Sequence, residues 1–164
     1  MKTLCLMRHA KSSWEAPELA DHDRPLNARG RRAAPQMARW LGQHDLRPDF
    51  IISSTAVRAQ ETVKLLRAEW LPVKFDDCPE LYMAAPEQLK SVVSGFPDEV
   101  SCLLLVAHNP GLEEWLAELT GVQRKFPTAA VAVLDADVDH WSDWPGPAKP
   151  TLRVFRSPKQ LTDN

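Results

Sequence analysis

Six short apolar runs recur along the chain, at residues 4–7, 50–53, 73–75, 103–107, 131–134 and 152–155. Each has the length of a β-strand. The first, second and fourth are nearly unbroken in apolar character, the pattern of strands covered on both faces. Between them the apolar residues fall three or four apart, the period of a helix. Ala34, Met37, Ala38 and Leu41 follow Asn27, a plausible N-cap. Pro35 inside this stretch marks either a kink or the true start of the helix. Ala59, Val63, Leu66 and Trp70 share one helical face, and Leu89, Val92 and Val93 indicate a shorter helix. Leu112, Trp115, Leu116 and Leu119 form an i, i+3, i+4, i+7 stripe, which reads as core packing.

Strands alternating with helices predict a three-layer α/β/α sandwich around a mostly parallel central sheet. No helix pattern separates the last two strands, so an antiparallel hairpin at the sheet edge is expected. Their connection, residues 135–150, carries Trp141 and Trp144 among Asp, Gly and Pro. It reads as an ordered surface loop or a partner contact. With no internal repeat or linker, a single domain is expected over 1–164.

Composition changes this picture little. Apolar residues make up 44% of the 164 residues, charged residues 26%, and the formal charge is -2, all ordinary for a globular chain. No long basic run points to nucleic acid, and no apolar stretch approaches the ~20 residues that span a bilayer. A cytoplasmic location with no membrane association is the default expectation. Cys5, Cys78 and Cys102 are odd in number and lack CxxC spacing, so neither a disulfide framework nor a thiolate zinc site is indicated. Cys5 and Cys102, inside apolar runs, read as buried small hydrophobes.

The chemistry sits where polar residues follow the buried strands, because open α/β sheets bind ligands beyond the carboxyl ends of their strands. Arg8 and His9 follow the first strand. Ser53, Ser54 and Thr55 follow the second, with Arg58 one turn into a helix, and His108, Asn109 and Pro110 follow the fourth. Asn109–Pro110 reads as N-cap and N1, with Ser54 or Thr55 as the other cap. Two arginines and two histidines at one sheet edge, beside helix N-termini, suit a tetrahedral dianion. No acidic cluster offers a magnesium site, and the histidines lack a third ligand nearby in sequence. No metal or cofactor is therefore expected. A neutral imidazole nitrogen near pH 7 can attack phosphorus directly. Each of these residues alone has a plain reading as a surface charge or a structural histidine, and function read from them alone stays open.

Together the residues resemble a known family. Leu6-Met7-Arg8-His9-Ala10 resembles the RHG signature of the histidine phosphatase (phosphoglycerate mutase-like) superfamily. The segment from Ser53 to Thr62 resembles its S-x-x-x-R-A-x-x-T stretch, and Val106-Ala107-His108-Asn109-Pro110 its second-histidine motif. Asp23-Arg24-Pro25-Leu26, followed by Gly30, resembles the D-R-P-L-x-x-x-G stretch of the SixA-type phosphohistidine phosphatases. The resemblance implies that His9 is the phosphorylated nucleophile, that Arg8 and Arg58 bind the phosphoryl group, that His108 completes the pocket and that Arg24 lies at its edge. Ala10 stands where most members have glycine. Glu15 stands where larger members often have an asparagine. Many members use a glutamate after the third strand as general acid, and Glu80 occupies that region here, with a surface carboxylate as its alternative reading.

Three functions follow from the resemblance. The first is removal of phosphate from phosphohistidine on a partner protein, such as a histidine phosphotransfer domain or phosphocarrier. The second is hydrolysis of a small phosphate ester, and the third a phosphate-reading interaction domain without turnover. Only about 33 residues separate Trp70 from Leu103, which leaves little chain for a lid. An open site favours a phosphorylated side chain over a small metabolite.

Overall fold

Side chains alternate in and out along each inner strand, so every buried strand feeds two cores. The structure, a computed structural model, describes residues 1–162. Strands β1 (Lys2–Arg8), β2 (Phe50–Ser53), β3 (Lys74–Asp77), β4 (Cys102–Ala107), β5 (Val131–Ala136) and β6 (Thr151–Arg156) form one sheet in the order β3-β2-β4-β1-β5-β6. The first four are mutually parallel. β5 runs antiparallel to β1, and β6 antiparallel to β5. The edge hairpin expected from the sequence is therefore present.

Cys5, Met7, Ile51, Leu104 and Val106 face helices α1 (Ala28–Gln43) and α2 (Val57–Glu69). Leu4, Leu6, Ile52, Leu103 and Leu105 face α3 (Pro86–Ser94) and α4 (Gly111–Thr120). These side chains are essentially inaccessible to solvent, and full burial of each stabilises the fold by roughly 1.5–3 kcal/mol. A short α5 (Pro158–Thr162) packs on α1. Among the described residues no helix is long and apolar enough to cross a membrane.

Several local expectations need correction. Asn27 does cap α1, accepting from Gly30 N at 2.8 Å, so the helix starts at Ala28 and Pro35 lies inside it. Asn109 is not a cap. Its amide nitrogen turns away to donate to Phe126 O at 2.9 Å and Glu113 Oε2 at 3.2 Å, and α4 starts at Gly111 after Pro110. Nor does Ser54 or Thr55 occupy the N-cap of α2, which is Ala56. Ser54 Oγ instead accepts from Ala56 N at 3.2 Å. The third strand runs from Lys74 to Asp77, one residue later at its start and two at its end than the apolar run 73–75. It is exposed throughout, and its charged residues suit a sheet edge.

The 135–150 connection is not a surface loop where its tryptophans lie. Trp141 and Trp144 are buried beside α3 and α4, and the Trp141 indole donates to Val100 O at 2.7 Å. They fill core volume that α3, only nine residues long, leaves open, so they are unavailable to a partner.

Candidate active site

The parallel register carries the ends of β1, β2, β3 and β4 to one edge. Arg8, His9, Arg58 and His108 meet there, lining a pocket of about 220 Å³ with Arg24, Asp21, Trp14 and Met83. A larger cavity of about 500 Å³, near Arg47, Lys74 and Val100, lies before the amino ends of β2, β3 and β4. It holds no histidine, and its Arg47 and Asp49 are engaged by Trp70 O and by the Ser101 and Cys102 amides. The convergent chemistry is at the carboxyl edge.

His9 is held from three sides. Its amide donates to Ala107 O at 3.2 Å, and its carbonyl accepts from Ala129 N at 3.1 Å. Its Nδ1 lies 2.7 Å from Ala10 O. A carbonyl only accepts, so Nδ1 carries the hydrogen and the Nε2 lone pair is left for chemistry. Arg58 Nε donates to that lone pair at 3.3 Å. Thr62, one turn beyond Arg58, ties the two segments together. Its hydroxyl accepts from Ala10 N at 3.0 Å and donates to Arg58 O at 2.7 Å. The R-A-x-x-T spacing thus couples the arginine to the histidine loop.

His108 lies beside His9, with ring centroids 5.1 Å apart. Arg58 Nη2 approaches its Nδ1 at 3.4 Å, so Nδ1 accepts and Nε2–H donates to Ser54 Oγ at 2.7 Å. Burial first, then the positive charges nearby, pushes His9 down to about 3 and His108 to about 4. Both rings are neutral in the free protein at pH 7. A bound dianion stabilises their charged forms and raises both values, so His108 can gain a proton and donate it to a phosphoryl oxygen. Arg8 Nη1 donates to Phe126 O at 3.1 Å, while its buried Nε has no partner in the protein. The Arg8 guanidinium lines the pocket, where its charged fork suits a phosphoryl oxygen.

The other predicted residues divide. Arg24 does line the pocket, its Nη1 donating to Ser12 Oγ at 2.7 Å and Ser13 O at 3.2 Å. Glu80 is fully exposed on a 3-10 turn, Pro79–Leu81, outside the pocket lining. Its carboxylate accepts from the Cys78 thiol at 3.2 Å. The residue of that connection that does reach the pocket is Met83.

Sequence reasoning missed Asp21 and Tyr82. Asp21 Oδ2 accepts from Arg58 Nη2 at 3.0 Å and from the Tyr82 hydroxyl at 2.6 Å, and Asp21 O accepts from Arg58 Nη1 at 2.7 Å. Asp21 Oδ1 accepts from Arg24 Nε at 3.3 Å. The Tyr82 hydroxyl, then Arg58, holds Asp21 down at about 2. One edge of the Arg58 guanidinium is thereby fixed on Asp21, leaving the other toward both histidines. The Asp23-Arg24-Pro25-Leu26 motif pointed to the right loop, but Asp21 lies two residues before it, and the motif's own Asp23 lies 3.7 Å from His22 Nδ1.

The arrangement can hold a tetrahedral dianion against an imidazole nucleophile, with Arg8, Arg58 and His108 on its oxygens. Among the described residues no group of three or more His, Cys, Asp or Glu could hold a metal ion. Residues 4–82 match the model of the histidine phosphatase superfamily (branch 1). An uncharacterized protein of Mycobacterium tuberculosis is 36% identical over 149 residues, covering 84% of this chain and 90% of that protein. The fold superposes on a candidate phosphohistidine phosphatase SixA from Agrobacterium tumefaciens with a TM-score of 0.83 at 31% identity, covering 95% of this chain and 97% of that one. A second candidate SixA, from Nakamurella multipartitia, also gives 0.83, at 28% identity and 96% coverage of each chain.

Proposed function

The chain belongs to the histidine phosphatase superfamily, of the SixA type, and from that premise we propose that it removes phosphate from phosphohistidine on a partner protein. His9 Nε2 attacks phosphorus in line. The P–N bond to the partner's imidazole breaks as the bond to His9 forms. The departing ring, protonated on its other nitrogen, leaves neutral with the electron pair of the broken bond. Water then attacks the phosphorylated His9, releasing inorganic phosphate. Arg8, Arg58 and a protonated His108 supply the charge that a metal supplies elsewhere, so the reaction is proposed to be metal-independent.

One observation carries the substrate class: the only carboxylate lining the described pocket is Asp21, held at about 2 and therefore ionised at neutral pH. It has no proton to give a leaving alkoxide. Imidazole, which titrates near ~6.5, leaves with little acid assistance, whereas an alkyl alcohol needs much. The pocket of about 220 Å³ also supports this reading, being matched to a phosphoryl group more than to a whole metabolite.

The test is competition between a histidine-phosphorylated protein and a panel of phosphate esters, with EDTA present. The protein substrate should win in kcat/KM, and an acid-labile phosphoenzyme should form in the wild type but not in His9→Ala. If esters win and Glu80→Gln slows them tenfold or more, the protein is instead a small-molecule phosphomonoesterase using Glu80 as its acid. Phosphate binding without turnover of any donor would make it a reader domain.

A further inference from the structure

Trp14 and Met83 are large hydrophobic side chains exposed at the mouth of a cationic pocket. Trp14 is 70% exposed and Met83 49%. Exposed apolar side chains are common when scattered. These two come from separate segments, one after β1 and one after β3, and both line the phosphate pocket.

Each is held in place. The Arg24 guanidinium lies 3.5 Å from the centroid of the Trp14 ring. Arg24 is itself 93% buried, with 7% of its surface exposed, and is tied to Ser12, Ser13 and Asp21. The indole thus rests one face on an immobile cation and leaves the remainder to solvent. Met83 has φ 51°, in the left-handed region that residues with a side chain rarely adopt. Its neighbours keep it there: the Tyr82 hydroxyl is bound to Asp21, and the Ala84 amide to Leu81 O at 3.3 Å. Such backbone strain persists where the surrounding structure over-determines it, often at ligand sites.

A free phosphate ion needs neither group, and a polyhydroxylated leaving group needs polar atoms at the mouth. Of those nearby, Ser12 Oγ is engaged by Arg24, Asn109 Nδ2 by Glu113 and Phe126 O, and the Asp21 carboxylate by Arg58 and Tyr82, while Lys11 and Thr128 are the further polar side chains of the lining. Beside those two the mouth offers a flat aromatic surface and a soft thioether, neither of which a polyhydroxylated group would use. We propose that Trp14 and Met83 are specificity-determining residues that receive the imidazole ring of the partner's phosphohistidine, the indole stacking on the ring and the thioether meeting its edge. This rests on the phosphohistidine reading above and adds the surface that selects the ring.

The experiment compares two donors with the same P–N bond, a histidine-phosphorylated protein and phosphoramidate, whose leaving group has no ring. Trp14→Ala should lower the ratio of their kcat/KM values by about tenfold or more, chiefly through KM for the protein, as truncation of an aromatic anchor does. Trp14→Phe should restore the ratio to within about threefold, and Met83→Ala should lower it while Met83→Leu restores it. Equal losses on both donors would show that Trp14 acts only through Arg24 and overturn the inference. An unchanged ratio would also overturn it. If wild-type enzyme hydrolyses esters in preference to the phosphoprotein, the functional reading itself fails, and that is seen before any variant is made.

Discussion

Asp21 joins two of the three pocket arginines, Arg24 and Arg58, to Tyr82 through one carboxylate and one carbonyl. Its negative charge does two things for the site. It fixes one edge of Arg58, so that Nε and Nη2 face His9 and His108, and it opposes part of the charge that keeps His108 neutral. Asp21→Asn keeps the size and loses both. Phosphohistidine hydrolysis should fall by roughly 10- to 100-fold in kcat/KM, the scale of losing an oriented charge pair at a reacting centre. The pH profile separates this from simple misfolding. With Asp21 gone, His108 holds its proton less tightly, so the alkaline limb of kcat should move to lower pH. A reduced rate with an unmoved limb would limit Asp21 to holding the loop.

At the scale of elements, two glycines set how the pocket walls meet. A Cβ on Gly30, in the first turn of α1, would lie 2.2 Å from Lys11 O, just after the His9 segment. One on Gly111, the first residue of α4, would lie 1.9 Å from Ala84 O, beside Met83. Both contacts are with backbone, which cannot swing aside. Gly111→Ala should cost about 1–3 kcal/mol, lowering the thermal midpoint by roughly 2–4 °C per kcal/mol, and should reduce turnover by displacing the Tyr82–Met83 segment. A variant with wild-type midpoint and rate would mean that the two segments separate freely. This close packing also marks what was legible in the sequence. Unbroken apolar runs ending in Arg8-His9, Ser53 and His108 disclosed the strands, and parallel strands bring their ends together of necessity. Asp21 and Met83 reach the pocket, and Tyr82 reaches Asp21, from connections whose course depends on tertiary crossings, which local pattern does not encode. Asn109 misled for a related reason: its stronger partner, Phe126 O, lies 17 residues away. Trp141 and Trp144 sit in an Asp- and Pro-rich stretch whose composition reads as loop, although their own bulk places them in the core.

At the scale of the whole molecule, the site is assembled against the preference of its own histidines for water. His9 is 5% exposed and His108 2%, and burial pushes them down to about 3 and about 4 from an unfolded value near 6.5. The folded state therefore binds fewer protons than the unfolded chain between pH 4 and 6.5, and stability falls as pH drops through that window. Asp21, held at about 2, contributes stability that is present above 3.8 and is lost only as pH approaches 2, so it does not offset the loss. His140, raised by Asp98, works in the opposite direction but is fully exposed and hydrogen-bonded only at the surface. Two buried neutral histidines should cost on the order of 2–4 kcal/mol between pH 7 and pH 5, read as the difference in unfolding free energy from urea titrations at the two pH values. Replacing both with glutamine removes the groups that must titrate, so the double variant should lose at least half of that pH dependence even if it is less stable at pH 7. If it keeps the full drop, the acid sensitivity lies elsewhere. The same displacement keeps the His9 Nε2 lone pair free of a proton across the whole neutral range, as the proposed attack on phosphorus requires, and in that proposal the bound dianion is what restores the proton to His108.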